Sequence, residues 1–269
     1  TANITVTDNV DKSEADTIDA YSNTSGTVTL TSITDTVSNI TAVNTNANIS
    51  IASAAVTVTD AASFDNAVAI NGFTTGKVTL NSVEDTYAKI QDIKSIPDGQ
   101  VDMGAAAVKV SDNVTKTEVD DLRTDTTGNI TLTSLTEDKG NLATINGFTD
   151  VILSTANITV TDNVNKSEAD TIDDYSKTSG VVTLTSITDT VENVNSVQSN
   201  ANISLATSTI TVTDAASLND ATAINGFTEG LVTLNSVEDT YSNIQDIKKI
   251  DDAEVDMGAA AVKVSDNVT

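Results

Sequence analysis

The chain repeats itself, and nothing else in the sequence limits its fold so sharply. Thr1–Thr115 returns as Thr155–Thr269, shifted by 154 residues, with roughly three quarters of the paired positions identical. A shorter period lies inside the long one. The segment Ile4-Thr5-Val6-Thr7-Asp8 recurs at Val56–Asp60, Val108–Asp112, Ile158–Asp162, Ile210–Asp214 and Val262–Asp266, so the closing aspartates step by 52, 52, 50, 52 and 52 residues. The repeat is therefore about 52 residues long, with units at 1–52, 53–104, 105–154, 155–206 and 207–258 and the start of a sixth at 259–269. Fixed periods of roughly 20 to 50 residues mark stacked architectures in which no unit buries its apolar face alone. The pattern starts and stops in mid-repeat without an atypical polar unit, which reads as a window from a longer array.

One unit reads as strand, helix, strand, helix, strand. Ile4 and Val6 alternate with Thr5 and Thr7, the period of a half-buried strand. Ser13 with Asp16 suggests a capped helix carrying Ala15, Ile18 and Tyr21, which Gly26 would end. A second alternating strand places Val28 and Leu30 on one face, matched by Val78 and Leu80, Ile130 and Leu132, Val182 and Leu184, and Val232 and Leu234. Asp35 or Thr36 can cap the next helix, whose clearest version runs Val83, Tyr87, Ile90, Ile93 with Asp85 as cap. A third strand falls at Ile49–Ser53, Val101–Met103, Val151–Ser154, Ile203–Ala206 and Val255–Met257. Its apolar residues, Ile49 and Ile51, are odd-numbered, whereas Val56 and Val58 in the following strand are even. A bulge or corner is required at Ala52–Ala55. Strands alternating with helices across short turns favour parallel pairing, so the expected fold is an α/β solenoid of stacked parallel strands and short helices, with an all-β solenoid (β-helix) as the alternative.

Composition narrows the setting. Thirty-nine acidic residues against 13 basic ones give a net charge of −26, a surface that repels nucleic acid and anionic lipid. The 38% hydrophobic content lies in regularly spaced Val, Ile and Leu, as a long thin core needs. Cysteine and histidine are absent, which excludes disulfides and thiolate or imidazole metal sites. No run approaches the roughly 20 apolar residues of a membrane span, and Thr1 opens without the charged start of a signal peptide. Basic residues do not cluster. Without His or Cys, acid–base catalysis would need two carboxylates converging in a pocket, and serine lacks an elbow motif, so the sequence reads as that of a non-enzyme.

Three surface features are candidates for function. Asp8, Asp60, Asp112, Asp162, Asp214 and Asp266 close the first strand, and Asp35, Asp85, Asp138, Asp189 and Asp239 follow the second. Stacking would align each series, and aligned carboxylates repel unless a hard cation such as calcium bridges them. Aspartate between a strand and a helix is also the ordinary helix cap, the plainer reading at any one position. Outward threonines form the second feature: Thr5 with Thr7, Thr57 with Thr59, Thr159 with Thr161, and Thr211 with Thr213. They resemble the Thr-x-Thr faces of ice-binding solenoids, but Lys109 with Ser111 and Lys263 with Ser265 interrupt them. Third are Asn-x-Ser/Thr triplets at Asn3, Asn39, Asn48, Asn113, Asn129, Asn157 and Asn202, which composition alone produces in a chain rich in Asn and Thr.

The ITVTD-type strands, taken with Ser82–Gln91 and Asn71–Gly76, resemble the Thr/Asp-rich repeats of large bacterial cell-surface proteins of the surface-layer, sheath, filament and adhesin type. That resemblance implies an extracellular, secreted structural or adhesive role, often calcium-dependent, although the glycine-rich calcium nonapeptide of such solenoids is missing here. The expected function is self-association into a surface assembly. An adhesin stalk, or an ice-binding or cell-surface glycan-binding face, stands as the alternative.

Overall fold

A computed structural model describes residues 2–21, 26–97, 99–176, 179–251 and 253–266. The chain divides into two compact units, 1–133 with 150–152, and 134–149 with 153–269. The first unit holds β1 (Ile4–Val10), α1 (Lys12–Tyr21), β2 (Val28–Asp35), α2 (Val37–Thr45), β3 (Ile49–Ser50), β4 (Ala55–Ala62) and α3 (Phe64–Asn71). It continues through β5 (Val78–Asp85), α4 (Tyr87–Lys94), β6 (Val101–Asp102), β7 (Ala107–Val114), α5 (Lys116–Asp125) and the first half of β8 (Ile130–Glu137). The second unit takes the rest of β8 and α6 (Lys139–Asn146); the two-residue β9 (Val151–Ile152) belongs to the first. Then come β10 (Asn157–Val164), α7 (Lys166–Asp173), β11 (Val182–Asp189), α8 (Val191–Gln198), β12 (Ile203–Ser204) and β13 (Thr209–Ala216). α9 (Leu218–Asn225), β14 (Val232–Asp239), α10 (Tyr241–Ile247), β15 (Val255–Asp256) and β16 (Ala261–Val264) complete it.

Each unit is an α/β solenoid in which successive long strands pair in parallel and each is followed by a short helix. Stacked residues are as few as 21 apart, as for Val28 and Ile49, and as many as 25, as for Val83 and Val108. The structural turn is thus one strand and one helix, and every 52-residue sequence repeat contributes two such coils. Within each unit neighbouring helices pack in chain order, α1 on α2 on α3 on α4, and α6 through α10 likewise. The core is the single layer between strands and helices. Val28, Leu30 and Ile33 are fully enclosed there with Ala15, Ile40 and Val43, and Leu80, Leu132, Leu184 and Leu234 are buried as the alternation requires.

The strands are bent by two devices. The corner expected at Ala52–Ala55 lies between β3 and β4, closed by the Ala54 amide donating to the Ile51 carbonyl at 2.9 Å. Both short and long strand lie along the same neighbour: Ile49 and Ser50 face Val28 and Thr29, and Ala55–Val58 face Ser32–Asp35. Two extra residues loop out relative to β2, and the switch from odd to even apolar positions across the corner is matched in β2 itself, which buries Val28 and Leu30 and then Ile33. The second device was not anticipated. Aspartates of the Asp8 series do not end the first strand; the strand runs on to Val10, and a one-residue bulge at Thr7–Asp8 shifts register from Val6/Leu30 to Asn9/Ser32. Val10 and its counterparts Ala62, Val114, Val164 and Ala216 are thereby turned inward, and burying them favours continuing the strand.

Several local expectations change with this geometry. α1 begins at Lys12, and Asp11 rather than Ser13 caps it, its carboxylate accepting from the Glu14 amide at 2.8 Å while Glu14 accepts from the Asp11 amide at 3.1 Å. Val83 lies in β5, not in the helix, and Tyr21 is 73% exposed. The third strands are two residues long, shorter than expected, because the corner takes up the remainder. Gly26 does not end α1. It and Gly76, Gly128, Gly180 and Gly230 stand where the chain crosses closely over the preceding coil, and a Cβ on any of them would meet a backbone carbonyl oxygen, that of Ala54 at 2.2 Å for Gly76.

Candidate functional site

The aspartates are held by strand geometry at the mouth of the helix layer, and all but Asp8 accept a hydrogen bond at the start of a helix. In the Asp8 series the acceptor serves the helix of the preceding coil. Asp60 Oδ1 accepts from the Val37 amide, Asp112 from Tyr87, Asp162 from Lys139, Asp214 from Val191 and Asp266 from Tyr241, all at 2.8–2.9 Å. Each donor is the first residue of its helix, an amide with no partner inside the helix. The bulge re-aims the carboxylate across the gap between coils. Asp8 lies on β1, beside the solvent-exposed Asn9.

The second series does two jobs at once. Asp35 Oδ2 accepts from the Lys12 amide of α1 at 2.8 Å, while Oδ1 accepts from the Thr36 amide and from Asn39 Nδ2, both 2.8 Å, at the head of α2. Asp189 repeats this with Lys166, Thr190 and Asn193, and Asp239 with Leu218, Thr240 and Asn243. Asp85 joins Phe64 to Thr86 in the same way. The helix cap proper is the following threonine, Thr36, Thr86, Thr190 or Thr240. Asp138 departs from the series: Glu137 occupies the strand-end position, and Asp138 is itself the cap of α6, accepting from the Asn141 amide at 2.8 Å.

Electrostatics follow from these contacts. Burial raises the Asp35 and Asp189 carboxyls, but hydrogen bonds from the Lys12 and Lys166 amides, the paired asparagines and the threonine amides outweigh it and hold both below the ordinary value of 3.8. For Asp239 the amides of Leu218 and Thr240 dominate outright and lower it. These carboxylates do not suit a calcium cage. Their oxygens already receive amide hydrogens, and calcium needs six to eight converging oxygens. Among the described residues no group of three acidic, histidine or cysteine side chains comes together.

Threonines divide into two sets. Thr34, Thr57 and Thr79 stand side by side on the outer face of the first unit's sheet, as do Thr136, Thr159 and Thr183, and Thr188, Thr211 and Thr233, in the second. Lys109 falls beside Glu84 and Lys263 beside Glu238, each a cross-strand ion pair at 2.6–2.7 Å. The other set was missed by sequence reading. Thr74, Thr126 and Thr228 donate to the carbonyls of Ala54, Ala106 and Ser208 at 2.6 Å and accept from the amides of Gly76, Gly128 and Gly230 at 2.8–2.9 Å. Thr31, Thr133 and Thr185 likewise donate to Val6, Val110 and Val160, carbonyls beside the bulge. A Thr-x-Gly spacing at 74–76, 126–128 and 228–230 was the available signal.

The chemistry of the arrangement is backbone satisfaction. Irregular corners leave buried donors and acceptors that must be paired, and hydroxyls and carboxylates recurring once per coil pair them. Comparison with protein-family models, with curated proteins and with solved structures finds no match for the chain.

Proposed function

We propose that the chain is an extracellular structural repeat protein, part of a bacterial surface layer, sheath or filament, in which stacked coils supply length and a repeating flank for self-association. One observation supports this most. The aspartates that a sequence reading offers as functional groups are, Asp8 apart, hydrogen-bonded to the protein's own backbone amides, coil after coil, so the repeated carboxylates serve extension of the stack. The high acidic charge would keep such flanks soluble until they meet. Antibody labelling of intact source cells, with and without surface protease, tests the location: the expected outcome is labelling that protease removes. Labelling seen only after lysis would overturn the reading.

The in-register threonine rows favour a second reading, an outer face that binds ice or a cell-surface glycan. Thermal hysteresis or glycan-array binding that disappears in Thr57→Lys together with Thr211→Lys would support it. A stalk that only displays an adhesive domain would give neither result.

A further inference from the structure

In the first unit the gap between α4 and α5 is closed by an aromatic ring. Tyr87, the first residue of α4, reaches across to α5 and donates its hydroxyl to Asp121 Oδ2 at 3.0 Å. Burial, then the Asp121 contact and the charges of Glu118 and Asp125, push this phenol up to about 12, so it sits among those three side chains. Gln91 closes the same gap further along, its Nε2 donating to Asp125 Oδ2 at 2.7 Å. The corresponding gap in the second unit lies between α6 and α7. Lys139 stands there at Tyr87's position: each is the first residue of its helix, and each gives its amide to a bulge aspartate, Asp162 or Asp112. Counted from the first residues of α5 and α7, Lys116 and Lys166, the side chains around the Tyr87 phenol correspond to Glu168, Thr171 and Tyr175. Lys139 directs its ammonium to Glu168 Oε1 at 2.8 Å and to the Asn163 carbonyl at 3.2 Å, and the short Ala143 takes the place of Gln91. A cleft of about 210 Å³ results, lined by Lys139, Ser167, Glu168, Thr171, Ile172 and Tyr175.

We propose that this cleft binds one phenolic ring, free or carried on a tyrosine side chain, in the place that Tyr87 fills between α4 and α5. Its volume falls below the roughly 300–1,000 Å³ of sites for drug-sized ligands, so it suits a single ring. Ile172, 2% exposed, forms an apolar floor, and the Tyr175 ring supplies a wall for offset or edge-to-face packing. The polar end fits the hydroxyl. Two of the three Lys139 N–H groups go to Glu168 and Asn163, and Thr171 donates its own hydrogen to the Ser167 carbonyl at 2.8 Å, which leaves its oxygen as an acceptor. A phenol can therefore donate to Thr171 and accept from Lys139. A toluene-like ring would leave both unanswered.

This site is independent of self-association and is tested by a heteronuclear NMR titration of the full chain. The probes are p-cresol, which is the tyrosine side chain alone, and N-acetyl-tyrosine amide. p-Cresol should give saturable shifts at millimolar concentration, confined to the amides around Lys139, Ser167, Glu168 and Thr171. The same shifts with N-acetyl-tyrosine amide identify a ring carried on a polypeptide, and shifts with p-cresol alone identify a free phenol. Lys139→Tyr/Thr171→Asp copies the α4–α5 pair, fills the cleft from within and should abolish the shifts. Thr171→Val keeps the volume, removes the acceptor and should weaken p-cresol binding by roughly two- to tenfold, the range for one hydrogen bond. No saturable shift in wild type with either probe overturns the proposal, as does p-cresol binding that is unchanged in both variants. Methyl glucopyranoside moving these amides where p-cresol does not would assign the cleft to a sugar and overturn it too.

Discussion

A single carboxylate in this fold holds three donors on two helices. Asp189 takes the first amide of α7 with one oxygen and the Thr190 amide and Asn193 side chain of α8 with the other. Asp189→Ala leaves all three unsatisfied and should lower the free energy of unfolding by about 1–2 kcal/mol, the range for a lost helix cap, read from urea denaturation. Asp189→Asn keeps one acceptor oxygen and should cost less. The same contacts set the acid response. Asp35, Asp189 and Asp239 are held below their ordinary value, so the unfolded chain binds protons more readily than the folded one. Their contribution is complete above the unfolded carboxyl value, about 3.9, and is lost as pH falls through the lower folded values. The urea midpoint should fall between pH 5 and pH 2, and the triple Asn variant should show a shallower fall.

At the scale of elements, the corner geometry depends on glycine in a way that matched substitutions can expose. Gly76→Ala drives a Cβ to 2.2 Å from the Ala54 oxygen, backbone against backbone, whereas at Gly99 no atom lies within 4 Å. Gly76→Ala should destabilise by about 1–3 kcal/mol or more as an overpacked site, and Gly99→Ala should be neutral or slightly stabilising; paired thermal melts check both. The strands and their inward faces were legible in the sequence because alternation is local: Val28 with Leu30 and Val78 with Leu80 state which side is buried. The corner was legible from parity alone, through Ile51 and Val56. Partners across coils were not. Asp60 looks like a cap for the helix after it, but its hydrogen bond goes to Val37, 23 residues earlier, and that requires knowing the bulge and the register. Thr74 and Gly76 were opaque for the same reason, since the carbonyl they both answer to belongs to the preceding coil. The sequence period also concealed the structural one, because alternate coils differ enough to make two look like one.

Within each unit, stability is a sum of contacts between neighbouring coils, and the chain has no disulfide and few aromatic residues to concentrate it. Residues 1–52 alone hold two coils with both faces uncovered and should stay unfolded, while residues 1–152 should melt cooperatively by circular dichroism. A cooperative transition in the 52-residue piece would show that one repeat suffices.

The capping contacts also give the stack a grain. The carboxylate contacts that cross between coils run backwards, from a later strand to an earlier helix, as Asp266 does to Tyr241 and Asp35 to Lys12. Peeling a coil from the C-terminal side removes an anchor and leaves a helix start bare, so the next coil loosens in turn. Peeling from the N-terminal side removes the helix and leaves behind a carboxylate that water solvates readily. Under tension in an optical trap, unravelling should therefore run from the C-terminal side toward the N-terminal side, and a chain tethered by its two ends should behave as a fabric that ladders in one direction.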